Sequence, residues 1–274
     1  MASLPPSPDR LSALDAADVT LVRADNPGPF TLEGTNTWLV GRDPCWVVDP
    51  GPDLAPHIAN VAAAADERGG FGGIALTHGH ADHTGGVELL WELAGNIPVA
   101  AAAWAGADVR VGDGDEAGPL RAIATPGHSP DHLAFLAGRV LFTGDAVLGH
   151  GSVFVYPDPG ALSGYLAALG RLIELDLELI CPGHGPVVTE PRAKLEQYRA
   201  HRLDRERRLR AALAAGLRTS DELLDEVWSD APPQLRPAAA VTLAAHLDKL
   251  DEEGALPSGV ERPQPDLYRQ RNDS

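Results

Sequence analysis

Residues 74–83 read Ile-Ala-Leu-Thr-His-Gly-His-Ala-Asp-His, an apolar run that ends directly in a cluster of metal-binding side chains. Such a run reads as a buried strand, and the polar cluster marks the loop at its end. In extended backbone, residues two apart point the same way, so His78 and His80 converge on one cation. Asp82 and His83 then face another. Imidazole and carboxylate are ligand types that zinc takes, and two sets on one short loop point to two ions a few ångströms apart. Neither set is complete alone. Three further candidates stand in glycine-containing corners, each directly after an apolar run: His128 in Thr-Pro-Gly-His-Ser, Asp145 in Phe-Thr-Gly-Asp and His184 in Pro-Gly-His-Gly. Glycine lets the backbone turn sharply and bring the ligand inward.

Outward from this loop, short apolar or β-branched runs occur at 19–22, 37–40, 46–48, 74–77, 98–101, 120–124, 133–136, 140–143 and 178–181. Stretches of helical length and composition lie between them at 54–68, 84–93 and 162–175. The alternation predicts an α/β fold with helices packed outside sheets. It fills residues 19–190, after an N-terminal leader at 1–18. From Glu190 the pattern turns to continuous helix, with Pro191 in its first turn and Gly216 at its end. Thr219 and Glu222 then form a capping box before Leu223, Leu224, Val227 and Trp228, and Leu243, Leu247 and Leu250 repeat at helical spacing. Residues 191–256 therefore read as a helical linker and a small helical module, and the polar, proline-containing 257–274 as a loose tail.

The 274 residues carry 22 basic and 39 acidic side chains, a net charge of −17. The charge is uneven: residues 190–218 sum to +5, between segments of −15 and −7. No run approaches the roughly 18 to 20 apolar residues of a membrane span, nothing reads as a secretory signal, and Cys45 and Cys181 form no framework of disulfides. A cytoplasmic protein with no membrane contact is expected.

The stretches THGHADHTGG, TPGHSPDH, LFTGD and CPGHG, in this order, resemble the metallo-β-lactamase-fold hydrolases over about residues 19–190. The resemblance implies an αββα sandwich with a dinuclear site: His78, His80 and His128 on one metal, Asp82, His83 and His184 on the other, and Asp145 bridging. It implies two Zn²⁺, with Mn²⁺ or iron as alternatives. The bridging aspartate is unlike the enzymes that destroy β-lactam antibiotics, and His at position 80 is unlike the di-iron flavodiiron branch. Only 38 residues separate Asp145 from His184, too few for the domain inserted there in the RNA-processing β-CASP branch. NPGPFTLEGTNTWLV, VVDPGP and HRLDRERRL further resemble the lactamase-beta-like-protein-two subgroup, which implies a winged-helix-like C-terminal domain. That subgroup includes a single-strand RNA endonuclease and thioesterase-type enzymes.

The chemistry expected is hydrolysis by a metal-bridging hydroxide, with Asp82 orienting it and accepting its proton. The substrate bond is a single-stranded RNA phosphodiester or an acyl thioester or ester, the latter as in a glyoxalase-II-like small-molecule hydrolase. A third reading, from another class, is a non-catalytic winged-helix nucleic-acid binder. His132 is a candidate proton donor or an ordinary hydrogen-bonded histidine. Asp49 either holds a ligand histidine or forms a turn before Pro50. Asn36 and Thr37 lie over the metals by resemblance, or form a turn entering a strand. Arg199, Arg202, Arg205, Arg207, Arg208 and Arg210, in the basic helix 192–210, could track a phosphate backbone or form a solvated face. The helix at 238–253 carries one lysine against Asp248, Asp251, Glu252 and Glu253, so the module is expected to be a wall of the cleft or a homodimer contact.

Overall fold

The computed structural model describes residues 8–263. The chain divides into two compact units. The first takes the chain through Thr125, with Asp131–Ser152 and Leu175–Lys194; the second takes Pro126–Pro130, Val153–Glu174 and the chain from Leu195 onward.

The first unit contains two sheets. Strands β1 (Val19–Arg23), β2 (Asn36–Val40), β3 (Cys45–Val48), β4 (Phe71–Ala75), β5 (Val99–Ala101) and β6 (Val109–Arg110) lie in that order in a six-stranded sheet. It is antiparallel from β1 to β3 and parallel from there on. In the second sheet, β7 (Glu116–Ala117), β8 (Leu120–Ala124), β9 (Leu133–Ala137), β10 (Val140–Gly144) and β11 (Leu179–Pro182) also lie in chain order, and only the last pair is parallel.

Successive side chains on a strand point to opposite faces, and the two cores follow that alternation. Trp38, Val40, Val48 and Ala75 of the first sheet share one buried cluster with Leu120, Phe135, Phe142 and Cys181 of the second, so the sheets face each other. Leu39, Val47 and Ile74 point the other way, onto Ile58, Val61 and Ala65 of helix Ala55–Asp66 and Val87 and Leu90 of a later helix, Val87–Ala94. Beyond Ala75 the chain leaves the strand, yet Leu76 N–H still donates to Ala100 O at 2.9 Å and Leu133 N–H donates to Thr77 O at 2.7 Å. The ends of both sheets are thus tied together where the histidines emerge.

Two expectations change. Residues 8–16 of the leader form a helix, and Leu14 is buried in the core between the sheets. The strands at 109–110 and 116–117 have two residues each, too short to show a period.

The second unit is helical: Ala161–Ile173, most of the long helix Pro191–Ala214, Ser220–Val227 and Arg236–Glu252, with no strand among its described residues. Leu209, Leu213, Leu223, Leu224, Val227, Trp228, Leu243, Leu247 and Leu250 form its core. Thr219 caps the helix Ser220–Val227 through a reciprocal bond with Glu222. The buried positions of the long helix include the series Leu195, Tyr198, Arg202, Arg205, Leu209, Ala212, at alternating spacings of three and four. Two arginines therefore occupy its apolar stripe. Arg202 donates to Val153 O and lies over the Tyr165 ring, while Arg205 donates to Val227 O and to both oxygens of Asp230 and covers Trp228. The first part of the expected tail is not loose: Glu261 N–H donates to Arg218 O at 2.8 Å, Val260 packs on the core and Arg262 pairs with Asp251. Residues 264–274 of that tail, like 1–7 of the leader, lie outside the described residues.

Candidate metal centre

The loop after Thr77 carries His78 to His80 and then a single helical turn, Ala81–Thr84, opened by His83 N–H and Thr84 N–H both donating to His80 O. This turn swings Asp82 and His83 round to the end of the second sheet. Asp145 arrives after β10 and His184 after β11. Gly183 is required between them, because a Cβ there would lie 2.7 Å from His83 Cε1 and 2.8 Å from Asp145 Oδ1. Gly144 has φ of +46° and would likewise strike Thr77 with a side chain.

His83 Nε2, His184 Nε2, Asp82 Oδ2 and Asp145 Oδ1 form one compact group. The two nitrogens are 3.3 Å apart. His184 Nε2 is 3.3 Å from each carboxylate oxygen, and His83 Nε2 is 3.6 Å from Asp82 and 3.5 Å from Asp145. Ligands at about 2.0–2.1 Å from a tetrahedral ion lie about 3.3–3.4 Å from one another, so this donor set has the spacing that such an ion needs. His78 Nε2 lies 2.9 Å from His80 Nδ1, and the ligand atoms of His78, His83 and Asp145 all lie within 4.8 Å of one another. Asp145 and His83 thus stand beside both sets.

Asp49 orients the ring nitrogens. Its carboxylate accepts Thr77 N–H at 2.8 Å, Thr77 Oγ1–H at 2.7 Å and His83 Nδ1–H at 2.9 Å. The Thr77 oxygen is in turn 3.0 Å from His78 Nδ1, which donates to it. Nε2 of both His83 and His78 is left as a lone-pair donor facing the group. Asp49 also makes the turn before Pro50, with φ of +52°.

Burial alone would push Asp82 up, but His83 and His184 outweigh it and hold its carboxyl at about 2. Asp145 is likewise held well below the carboxylate range, against burial, by His184 and His83. Burial pulls His184 down, and Asp145 and Asp82 more than reverse this, raising it to about 9. The group demands positive charge, which protons or a cation can supply.

His128 belongs to the second unit, on the segment Pro126–Pro130. It is buried there, with its ring centroid 4.9 Å from that of Phe154. His132 is buried in the first unit, and both its ring nitrogens are bonded within the fold: Thr125 Oγ1 lies 2.8 Å from Nδ1, and Asp145 N–H donates to Nε2 at 3.1 Å. The proton-donor reading of His132 gives way, because neither nitrogen is left for a substrate. The substrate-contact reading of Asn36 and Thr37 gives way for the same reason. Both are fully buried; Asn36 Nδ2 donates to Pro182 O at 2.9 Å and Gly185 O at 2.8 Å, and Thr37 Oγ1 lies 3.0 Å from His57 Nε2. Asn36 thereby fastens the corner that carries His184. Thr77, directly before His78, and Thr125, three positions before His128, read in the sequence only as strand and turn residues.

Most arginines of the basic helix are engaged within the fold, while Arg199 is exposed. Beside the buried Arg202 and Arg205, Arg207 pairs with Asp204, Arg208 donates to Glu226 O, and Arg210 pairs with Glu206 and Glu253.

A family model described as Metallo-beta-lactamase superfamily matches residues 30–110 and 101–184, and one described as Beta-lactamase associated winged helix domain matches residues 219–256. The Beta-lactamase-like protein 2 homolog of Caenorhabditis elegans is 34% identical over 256 residues, covering 87% of this chain and 85% of its own length. The Atrochrysone carboxyl ACP thioesterase of Aspergillus chevalieri is 38% identical over 226 residues, covering 77% of this chain and 70% of its own. Among solved structures, a metallo-beta-lactamase family protein from Thermus thermophilus is 25% identical, with a TM-score of 0.70 over 90% of this chain and 96% of that one.

Proposed function

The chain belongs to the metallo-beta-lactamase superfamily, and from that premise we propose that it is a dinuclear metal-dependent hydrolase of acyl thioesters or esters. The observation that carries the metal reading is the N₂O₂ group of His83, His184, Asp82 and Asp145, with five of its edges at 3.3–3.6 Å. These residues would hold one ion, and His78 and His80, with the ligand atoms of His83 and Asp145 close by, would contribute to the other. Zinc suits this mixture of imidazole and carboxylate, and manganese or iron compete through availability. When bound, such a pair supplies Lewis acidity and makes water acidic near neutral pH.

The protein's own contribution is orientation and charge. Asp49 and Thr77 fix the ring tautomers, and Gly183 keeps the space between the ligands open. Asp82 has a side chain 30% exposed and an ionised carboxyl, so it is placed to take up the proton of an attacking water. No side chain needs to become acylated.

Two observations favour a thioester over a phosphodiester. Of the arginines that would follow a phosphate backbone, Arg202 and Arg205 are turned inward and Arg207 and Arg210 are paired with acids, and one relative is named a thioesterase. The reading is tested by hydrolysis of short acyl thioesters, followed by thiol release, with single-stranded RNA as the competing substrate. Thioester turnover should be abolished by chelation, restored by zinc, and reduced at least about 10²-fold in His184→Ala. RNA cleavage that depends on His184, with no thioester turnover, would replace this reading with the nuclease one.

A further inference from the structure

We propose that His132 is a positioning residue that sets the spacing between the two ion sites; the inference rests on the dinuclear reading above. Its ring is locked on three sides. Asp145 N–H donates to His132 Nε2, so Nε2 bears the lone pair and Nδ1 the proton, which goes to Thr125 Oγ1. Thr125 N–H returns a bond to His132 O at 2.9 Å, and Leu133 N–H bonds Thr77 O at 2.7 Å. One face of the ring stacks on His78, with centroids 5.0 Å apart and planes inclined by 29°.

The same imidazole therefore touches His78 of one ligand set and the backbone of Asp145, which is shared by both. Asp145 stands in a tight turn after Gly144, where φ is +46°. A carboxylate on such a turn swings with its backbone, and the bond from its N–H to His132 removes that freedom. His78 is similarly held, by Thr77 at its Nδ1 edge and by His132 against its face. Removing the ring would loosen both groups at once, and the distance between the two sites would be held less tightly by the protein.

Full-length protein is stripped of metal and titrated with zinc in competition with a chromophoric chelator, and in parallel with cobalt, whose visible spectrum reports ligand geometry. Wild type should bind two ions. His132→Phe keeps the stack but loses both hydrogen bonds; it should hold its first ion within about threefold of wild type and bind the second about 10–100-fold more weakly. His132→Gln keeps an acceptor and a donor and should recover part of that loss. Thermal unfolding of each metal-free variant separates this from loss of folded protein. Two ions bound by a folded His132→Phe with wild-type affinities and cobalt spectrum would overturn the proposal. So would parallel loss of both ions with unfolding in both variants. A wild type that binds one ion or none would overturn the dinuclear reading, and this inference with it.

Discussion

Asp49 satisfies three buried donors with one carboxylate, and through them it acts on His83 directly and on His78 by way of Thr77. Asn at this position keeps the shape but presents an NH₂ to at least one donor, leaving it unpaired in a buried place. That should cost about 1–3 kcal/mol of stability. Asp49→Asn should also weaken metal binding about 10–100-fold, since His83 can then rotate or change tautomer. Chelator competition on the folded variant measures this, and unchanged affinity would show that the ligand histidines orient themselves. The clustering of the candidate ligands was legible, because each is a residue type with few other reasons to stand in a glycine corner after an apolar run. The residues that hold them were not. Asn36 bonds Pro182 O across 146 residues of sequence, and such a contact leaves no local mark. A polar residue beside a glycine reads the same whether it faces substrate or locks a loop.

The long helix shows what element-scale reading sees and what it misses. Its length and its end at Gly216 follow from composition and punctuation. A count of its charges suggests a basic face, yet Arg202 and Arg205 continue the three-four stripe of Leu195, Tyr198, Leu209 and Ala212. Spacing, taken before charge, points these two inward. Their burial has a consequence for the helix Arg236–Glu252, where His246 is fully buried beside Trp228 and its nitrogens have no hydrogen-bond partner among the described residues. Burial holds His246 well below its ordinary value of 6.5, and Arg202, Lys249, His201 and Arg205 add to this. His201 is lowered too, to about 4, by burial and by Arg202 and Arg205. Below about pH 6.5 the unfolded chain takes up protons that these folded residues refuse, so stability falls as pH falls, by up to about 1.4 kcal/mol per pH unit for each fully refused proton. Hydrogen exchange of the helices Ser220–Val227 and Arg236–Glu252, corrected for intrinsic rate, should show protection lost between about pH 6.5 and 5. His246→Leu should flatten this dependence; an unchanged slope would assign the effect to His201 or to other groups.

At the scale of the whole molecule, the opposing charges resolve into one electrostatic argument. The chain carries −17, and the segment that offsets this in the count turns two of its arginines into the core of the second unit and pairs or bonds others within the fold. Arg192 and Arg199 are exposed on that helix, and two such cations against a strongly acidic molecule organise a polyanion only weakly. A phosphate-tracking surface would release several counterions on binding and lose affinity steeply with salt. The structure argues for the opposite: single-stranded RNA of about twenty nucleotides should give no anisotropy change at micromolar protein in low salt, with Arg199→Ala indistinguishable from wild type. Tight binding with a log–log salt slope of several units would mean that phosphate contacts come from elsewhere on the chain. The sequence total of charge bears on this only weakly, because it carries no direction; the direction of each guanidinium is set by packing, through the spacing of a helix stripe and the acids within reach of its tip. The packing that closes the second unit's core therefore takes Arg202 and Arg205 out of any phosphate-binding surface, and the salt dependence of RNA binding measures what the remaining cations of the helix can do.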